Sequence, residues 1–192
     1  TDMKTAVIAL SLAAIAPFTA AAADGLSYNY VEGGYVATDS KGGDADGFAL
    51  KGSVAVHPNY HVFADYNSQE TDLGKVDVDQ WRIGAGYNRG INPTTDLVAR
   101  AAYQKFDPQY GPDFNGVSAE VGLRSQLHPV IEGYAYGGYE DYSKKHGINP
   151  DGEFYGRVGA VARINANWGV TGEVKLAKAG SREWFVGPRL SW

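Results

Sequence analysis

Polar and apolar positions in this chain alternate with a period of two over most of its length. In residues 47–57, Phe48, Leu50, Val54 and Val56 alternate with Ala49, Lys51, Ser53 and Ala55. In 80–87, Trp81, Ile83, Ala85 and Tyr87 stand against Gln80, Arg82, Gly84 and Gly86. In 116–126, Val117, Ala119, Val121 and Leu123 oppose Ser118, Glu120, Arg124 and Gln126. A strand sends successive side chains to opposite faces, so this is sorting onto one apolar and one ionic surface. A soluble sandwich would bury the apolar face and wet the other. Here the apolar faces end in aromatics at loop boundaries, which is the layout of an all-β, antiparallel transmembrane β-barrel.

The pattern predicts ten strands, over residues 27–37, 47–57, 60–67, 77–88, 95–106, 115–127, 130–142, 153–164, 168–177 and 181–192. Nearly all reach the roughly 9–11 residues that a tilted strand needs to cross a bilayer. Eight is the alternative count, reached if 60–67 or the turn at 177–180 is misassigned. Connections alternate in character. Residues 57–59, 89–94, 128–129 and 165–167 are short turns with Pro or Asn. The set at 38–46, 68–76, 107–114, 143–152 and 178–180 is mostly longer and richer in Gly, Asp, Lys and Pro. An even strand number with both termini periplasmic makes the short set periplasmic and the longer set extracellular.

Aromatics on the apolar parity follow that topology. Tyr35, Phe48, Tyr66, Trp81, Tyr103, Tyr139, Phe154 and Trp184 fall near the expected extracellular ends, and Tyr60, Tyr87, Trp168 and Trp192 near the periplasmic ends. Amphipathic rings prefer the membrane–water interface, whereas a β-sandwich core would place them mid-strand. Six residues separate Tyr60 from Tyr66 and Trp81 from Tyr87, so the band is thinner than the usual ~25 Å.

The other parity carries the ionic chemistry. Eight cations (Lys51, Arg82, Arg100, Arg124, Arg157, Arg163, Lys175 and Arg189) meet eight anions (Glu32, Asp65, Asp96, Glu120, Glu132, Glu140, Glu173 and Glu183). Buried charges persist only when paired and hydrogen-bonded, and the planar fork of Arg suits carboxylates. The expected lumen is therefore an interlocking salt-bridge plug, since small barrels are just wide enough to be filled by side chains. A narrow path for ions or small polar solutes is the alternative.

Export is written in the first residues. Lys4 follows Met3, residues 6–15 are apolar apart from Ser11, and Ala21, Ala22 and Ala23 offer a cleavage site before Asp24. This is a signal-peptide pattern, too short for a spanning helix; Thr1 and Asp2 form a two-residue extension before it. The domain organisation is thus a signal peptide over 1–23 and one barrel over 24–192. The chain has no cysteine, which excludes disulfides and thiolate metal sites. A net charge of −5 argues against nucleic acid as a partner. No cofactor is implied, and a monomer among outer-membrane lipid and lipopolysaccharide is expected.

Catalysis finds little support. A barrel enzyme needs His beside a carboxylate or Ser at the extracellular rim, and only His146, near Ser143 and Asp151, is placed there. His57 and His128 fall at periplasmic turns and His61 in the lumen. Asp39, Asp44 and Asp46 around Gly42 and Gly43 lack the regular spacing of a calcium loop.

Residues 24–35 read Asp-Gly-Leu-Ser-Tyr-Asn-Tyr-Val-Glu-Gly-Gly-Tyr. With the alternation and terminal Trp192, the chain resembles a family of small outer-membrane barrels from plant-associated Gram-negative bacteria. That family is named for the supposed activation of a rice immune receptor and was linked to quorum-type signalling. The broader likeness is to OmpA- and OmpX-type barrels. The resemblance implies an outer-membrane location and no defined enzymatic activity. Trp184, Val186, Leu190 and Trp192 resemble the C-terminal signal read by the outer-membrane insertion machinery, with a local bulge expected at Pro188, which donates no ladder hydrogen bond.

Overall fold

The computed structural model describes residues 25–72, 74–110, 112–143 and 152–192. The expected signal peptide, His146 and Asp151 lie outside the described residues. Ten strands form in chain order: β1 (Tyr30–Asp39), β2 (Ala45–His57), β3 (Tyr60–Thr71), β4 (Asp77–Asn92), β5 (Thr95–Pro108), β6 (Phe114–His128), β7 (Ile131–Tyr142), β8 (Glu153–Arg163), β9 (Trp168–Ala177) and β10 (Arg182–Ser191). Each pairs antiparallel with its neighbours, and β1 pairs with β10, closing the sheet into a barrel. Closure removes both sheet edges.

The alternation sorts as the period demands. Leu50 and Ile83 are 49% and 56% exposed on the outer wall, while Ala49 and Ser53 are buried inside. Outward rings meet across strands: Phe48 with Tyr66 (5.9 Å), Trp81 with Tyr103 (5.6 Å) and Tyr139 with Phe154 (5.0 Å) toward the longer loops, and Tyr60 with Tyr87 (5.3 Å) beside the short turns. Tyr35, Trp184 and Trp168 also face outward. Trp192 differs from the expectation. It is half-buried, with its indole N–H enclosed, because its backbone is tied to the N-terminal segment: its N–H donates to Asn29 and its carbonyl accepts from the Ser27 hydroxyl at 3.0 Å.

Several boundaries move. The six-residue turn expected at 89–94 shrinks to Pro93 and Thr94, because β4 continues to Asn92. Asn92 then accepts from the Thr94 N–H at 2.9 Å, an Asx turn that stabilises the reversal. β3 likewise runs on to Thr71 rather than stopping at 67. Pro188 produces no bulge. Its register continues through Glu32↔Arg189 and Tyr35↔Val186, with only the intervening pairs dropped from the ladder. Gly34 and Gly187 let the backbones approach there, since a Cβ at either would collide with a carbonyl of the facing strand. The register shifts that do occur sit at the short-turn end, beside His57, Asn92 and His128.

The largest departure is at the start. Residues 27–29 were expected to begin the first strand, yet β1 starts at Tyr30 and residues 25–29 turn into the barrel. Tyr28, only 3% exposed, packs with Ala55, Val98 and Tyr136 inside the lumen. Tyr28 has better partners there than the outer wall offers its hydroxyl.

The sidedness is directly testable. Cysteine at Leu50 will react with a membrane-confined probe and cysteine at Ala49 will not. Arg at Leu50, mid-way along β2, will lower unfolding stability by about 2–4 kcal/mol; equal labelling of the two positions contradicts the assignment of the outer wall.

Candidate functional site

All sixteen inward charges read from the alternation lie on the lumen parity, and most meet a partner of opposite sign. Short-range pairing follows from register: Arg100 is opposite Glu120 (3.3 Å), Asp65 opposite Arg82 (2.7 Å) and Glu32 opposite Arg189 (3.3 Å). Other pairs cross to strands that are not neighbours. Lys51 on β2 reaches Glu173 on β9 at 2.8 Å, and Lys175 on β9 reaches Glu140 on β7 at 2.8 Å. These bonds brace the walls against one another.

Three layers stack along the axis. Nearest the longer loops, Glu140 accepts from Lys175 and from Gln104 at 3.2 Å. In the middle, Glu120 faces three guanidiniums, Arg100, Arg157 (3.5 Å) and Arg82 (3.8 Å), and accepts the Tyr155 hydroxyl at 2.9 Å. Glu173 in the same layer accepts from Lys51, Arg157 (3.0 Å) and the Tyr134 hydroxyl (2.6 Å). Nearest the short turns, Glu132 is clasped by Arg124 at 2.6 Å and by Arg163, and Glu32 accepts from the Thr171 hydroxyl at 2.7 Å. Satisfying each carboxylate with several donors offsets the desolvation that burial costs.

Two of the sixteen carry further features. Asp96, fully buried, accepts the Tyr28 hydroxyl at 2.8 Å. Glu183 forms no ion pair among the described residues and lines the mouth instead. The mouth is a vestibule of ≈ 370 Å³ walled by Phe106, Phe114 and Tyr142 on one side and Glu153, Lys175 and Glu183 on the other. The free volume then falls to ≈ 60 Å³ and, at mid-lumen, to ≈ 20 Å³. That last void has room for a single water-sized guest.

Beyond it the N-terminal segment fills the end with short turns. Tyr28 stacks on His61 with ring centroids 4.6 Å apart, and the Arg124 guanidinium lies 4.8 Å from the Tyr28 ring. The Asn29 side chain accepts the Ala55 N–H at 2.8 Å; Arg189 and Arg163 donate to the carbonyls of Ser27 and Gly25. His61 is therefore a packing partner, pressed against Gly86, where any Cβ would strike its ring. His57 and His128, expected within turns, are the last residues of β2 and β6, directly before the two-residue turns.

Tyr28, Tyr134, Tyr136, Tyr155, Thr171 and Gln104 belong to this site although the charges alone did not select them. Their signal was available: apart from Tyr28, each lies on the charged parity of its strand. Aromatic faces there cover cations, with Arg189 3.8 Å from the Tyr30 ring and Lys51 3.9 Å from Phe185.

No family model and no curated protein matches this chain. Among solved structures it is similar to the translocator domain of autotransporter NalP from Neisseria meningitidis (10% identity, 88% of this chain and 91% of that chain, TM-score 0.49). It is also similar to Neisserial surface protein A (15% identity, 86% and 98%, TM-score 0.45). A third similar structure is Ail, the attachment invasion locus protein of Yersinia pestis (11% identity, 87% and 100%, TM-score 0.42). Identities this low leave the chemistry of the lumen to be read from the chain itself.

Stability divides sharply by location. Arg124→Ala, which strands Glu132 beside Arg163 in a buried setting, will cost about 3–5 kcal/mol in reversible unfolding from detergent or bilayer. Lys75→Ala, which breaks an exposed pair with Glu70, will leave the midpoint unchanged.

Proposed function

We propose that this chain is a monomeric outer-membrane β-barrel that does not conduct, and that it acts through its surface in envelope integrity, adhesion or recognition. The lumen supports this reading. Free volume shrinks to ≈ 20 Å³ at mid-height and the N-terminal segment packs into the lumen below, which argues against a continuous water column. The outer wall supports the location: Leu50, Ile83, Val121 and Val158 are 49–56% exposed, a surface suited to hydrocarbon. Lipid and lipopolysaccharide are its surroundings in this reading. The longer loops face outward from the cell, and cleavage near Ala23 frees the segment that enters the lumen. The likeness of residues 24–35 to the family named for rice immune-receptor activation belongs to the same reading. It implies a surface protein of the envelope and supplies no catalytic group.

Steady conductance in planar bilayers will be negligible for the wild type. Tyr28→Ala combined with Arg124→Ala will raise it or unfold the barrel, and the single variant Tyr28→Phe, which keeps the ring, will stay closed. Resolved single-channel steps in the wild type would instead establish a narrow channel for ions or small polar solutes.

The C-terminal strand is read in the same proposal as the address for the insertion machinery. Its Trp184 and Val186 face outward, 50% and 53% exposed, with Leu190 next on that parity. Removing Trp192 will leave the chain in the periplasm or degraded, checked by fractionation; normal insertion of the truncated chain counts against it.

A further inference from the structure

The mouth of the barrel differs from the rest of the lumen in what its rings and its carboxylates touch. Deeper down, aromatic faces already carry cations, as Tyr30 does with Arg189 and Phe185 with Lys51. At the mouth, Phe106 stands opposite Phe114 in the β5–β6 ladder, and Tyr142 lies over Gly116, where a Cβ would strike its ring. All three rings are half-buried and line the vestibule of ≈ 370 Å³. None of the cation–ring contacts among the described residues involves them.

The charges of the vestibule are Glu140, Glu153, Lys175 and Glu183. Lys175 is held by Glu140, its Nζ 2.8 and 2.9 Å from the two carboxylate oxygens. Glu153 accepts the backbone N–H of Ala179 at 3.1 Å. Neither Glu153 nor Glu183 forms an ion pair among the described residues. Cations of the narrower cavity beneath have partners of their own: Arg82 with Asp65 (2.7 Å), Lys51 and Arg157 with Glu173 (2.8 and 3.0 Å), and Lys105 with Asp107 and Asp113 (3.2 Å each). Two unneutralised carboxylates thus face three uncovered rings across one recess.

We infer that the vestibule binds a small organic cation, an amine or quaternary ammonium with an apolar body. Its volume is that of a small-molecule site. The rings attract positive charge to their faces and cover the apolar body, while the carboxylates repel anions. A bare metal ion gains nothing from the rings, and among the described residues no group of His, Asp or Glu is placed to hold one. Below, free volume falls to ≈ 60 Å³, so the guest is retained rather than passed on. That this mouth opens outside the cell rests on the surface-acting reading above; the binding itself does not.

The full chain, folded in a nonionic detergent at fixed ionic strength, is titrated calorimetrically with benzyltrimethylammonium, which joins a ring to a permanent positive charge. It will saturate one site. Tetramethylammonium, which lacks the ring, will bind about fivefold to tenfold more weakly, and benzenesulfonate will not bind. Glu183→Gln will weaken benzyltrimethylammonium by about tenfold. Phe114→Leu will weaken it by about fivefold and leave tetramethylammonium less affected. Equal uptake of benzenesulfonate, uptake that never saturates, or an affinity indifferent to Glu183→Gln overturns the inference. Should Phe114→Leu fail to fold, Glu183→Gln, which breaks no ion pair, still decides. Conductance of the wild type leaves this result untouched, so the binding site and the closed barrel fail separately.

Discussion

Pairing of β1 with β10 is the constraint on which the rest of this molecule depends. In the membrane setting proposed above, an outer wall that presents Leu50, Ile83 and Val121 cannot also present a row of unpaired amides, because hydrocarbon would offer them no partner. Closure satisfies both edges at once. It also fixes an inside, and the period of two then assigns every second side chain to it. From that point the lumen has no choice about its contents. Whatever the inward parity carries must be reconciled within the ring of ten strands.

The solution is a set of shared partners. Glu120, Glu132 and Glu173 each serve more than one cation, so the loss of one donor leaves the carboxylate partly held. Shared carboxylates also link strands that do not touch: β2 reaches β9 through Lys51, and β6 reaches β8 through Glu120. Tyrosines extend the pattern, using the ring against guanidinium and the hydroxyl toward carboxylate. Such a network trades desolvation for shape, since each bridge fixes the distance between two walls.

The fold was highly legible because alternation is a global signal: ten segments each repeat the same sorting, and errors of a residue or two at the ends do not alter it. Boundaries beside Asn92 and Thr71 moved because ladder hydrogen bonds carried the strands past the polar residues that read as turns. The sixteen charges were legible for the same reason. Their partners were not, since Lys51 and Glu173 are 122 residues apart and only the barrel's closure makes them neighbours. Residues 27–29 were misjudged because Tyr28 and Tyr30 continue the alternation in sequence. The Tyr28 side chain nonetheless settles where Asp96 and His61 can receive it, and the strand begins only at Tyr30. Pro188 misled in a different way: the expected bulge was unnecessary once Gly34 and Gly187 allowed close approach.

That interrupted ladder beside Pro188 bears on how the molecule comes together. Every other ladder pairing joins chain neighbours across a connection, whereas the β1–β10 seam joins Tyr30 to Ser191. Loop-closure entropy grows with the length enclosed, and contacts between distant segments form slowly. The seam is thus the least favoured contact to nucleate, and it is also the one with missing rungs. In kinetic terms it is the zipper's last tooth on assembly and its first to part. The hydrogen bond from Ser27 to the carbonyl of Trp192, 165 residues away, sits at the seam's short-turn end as its latch.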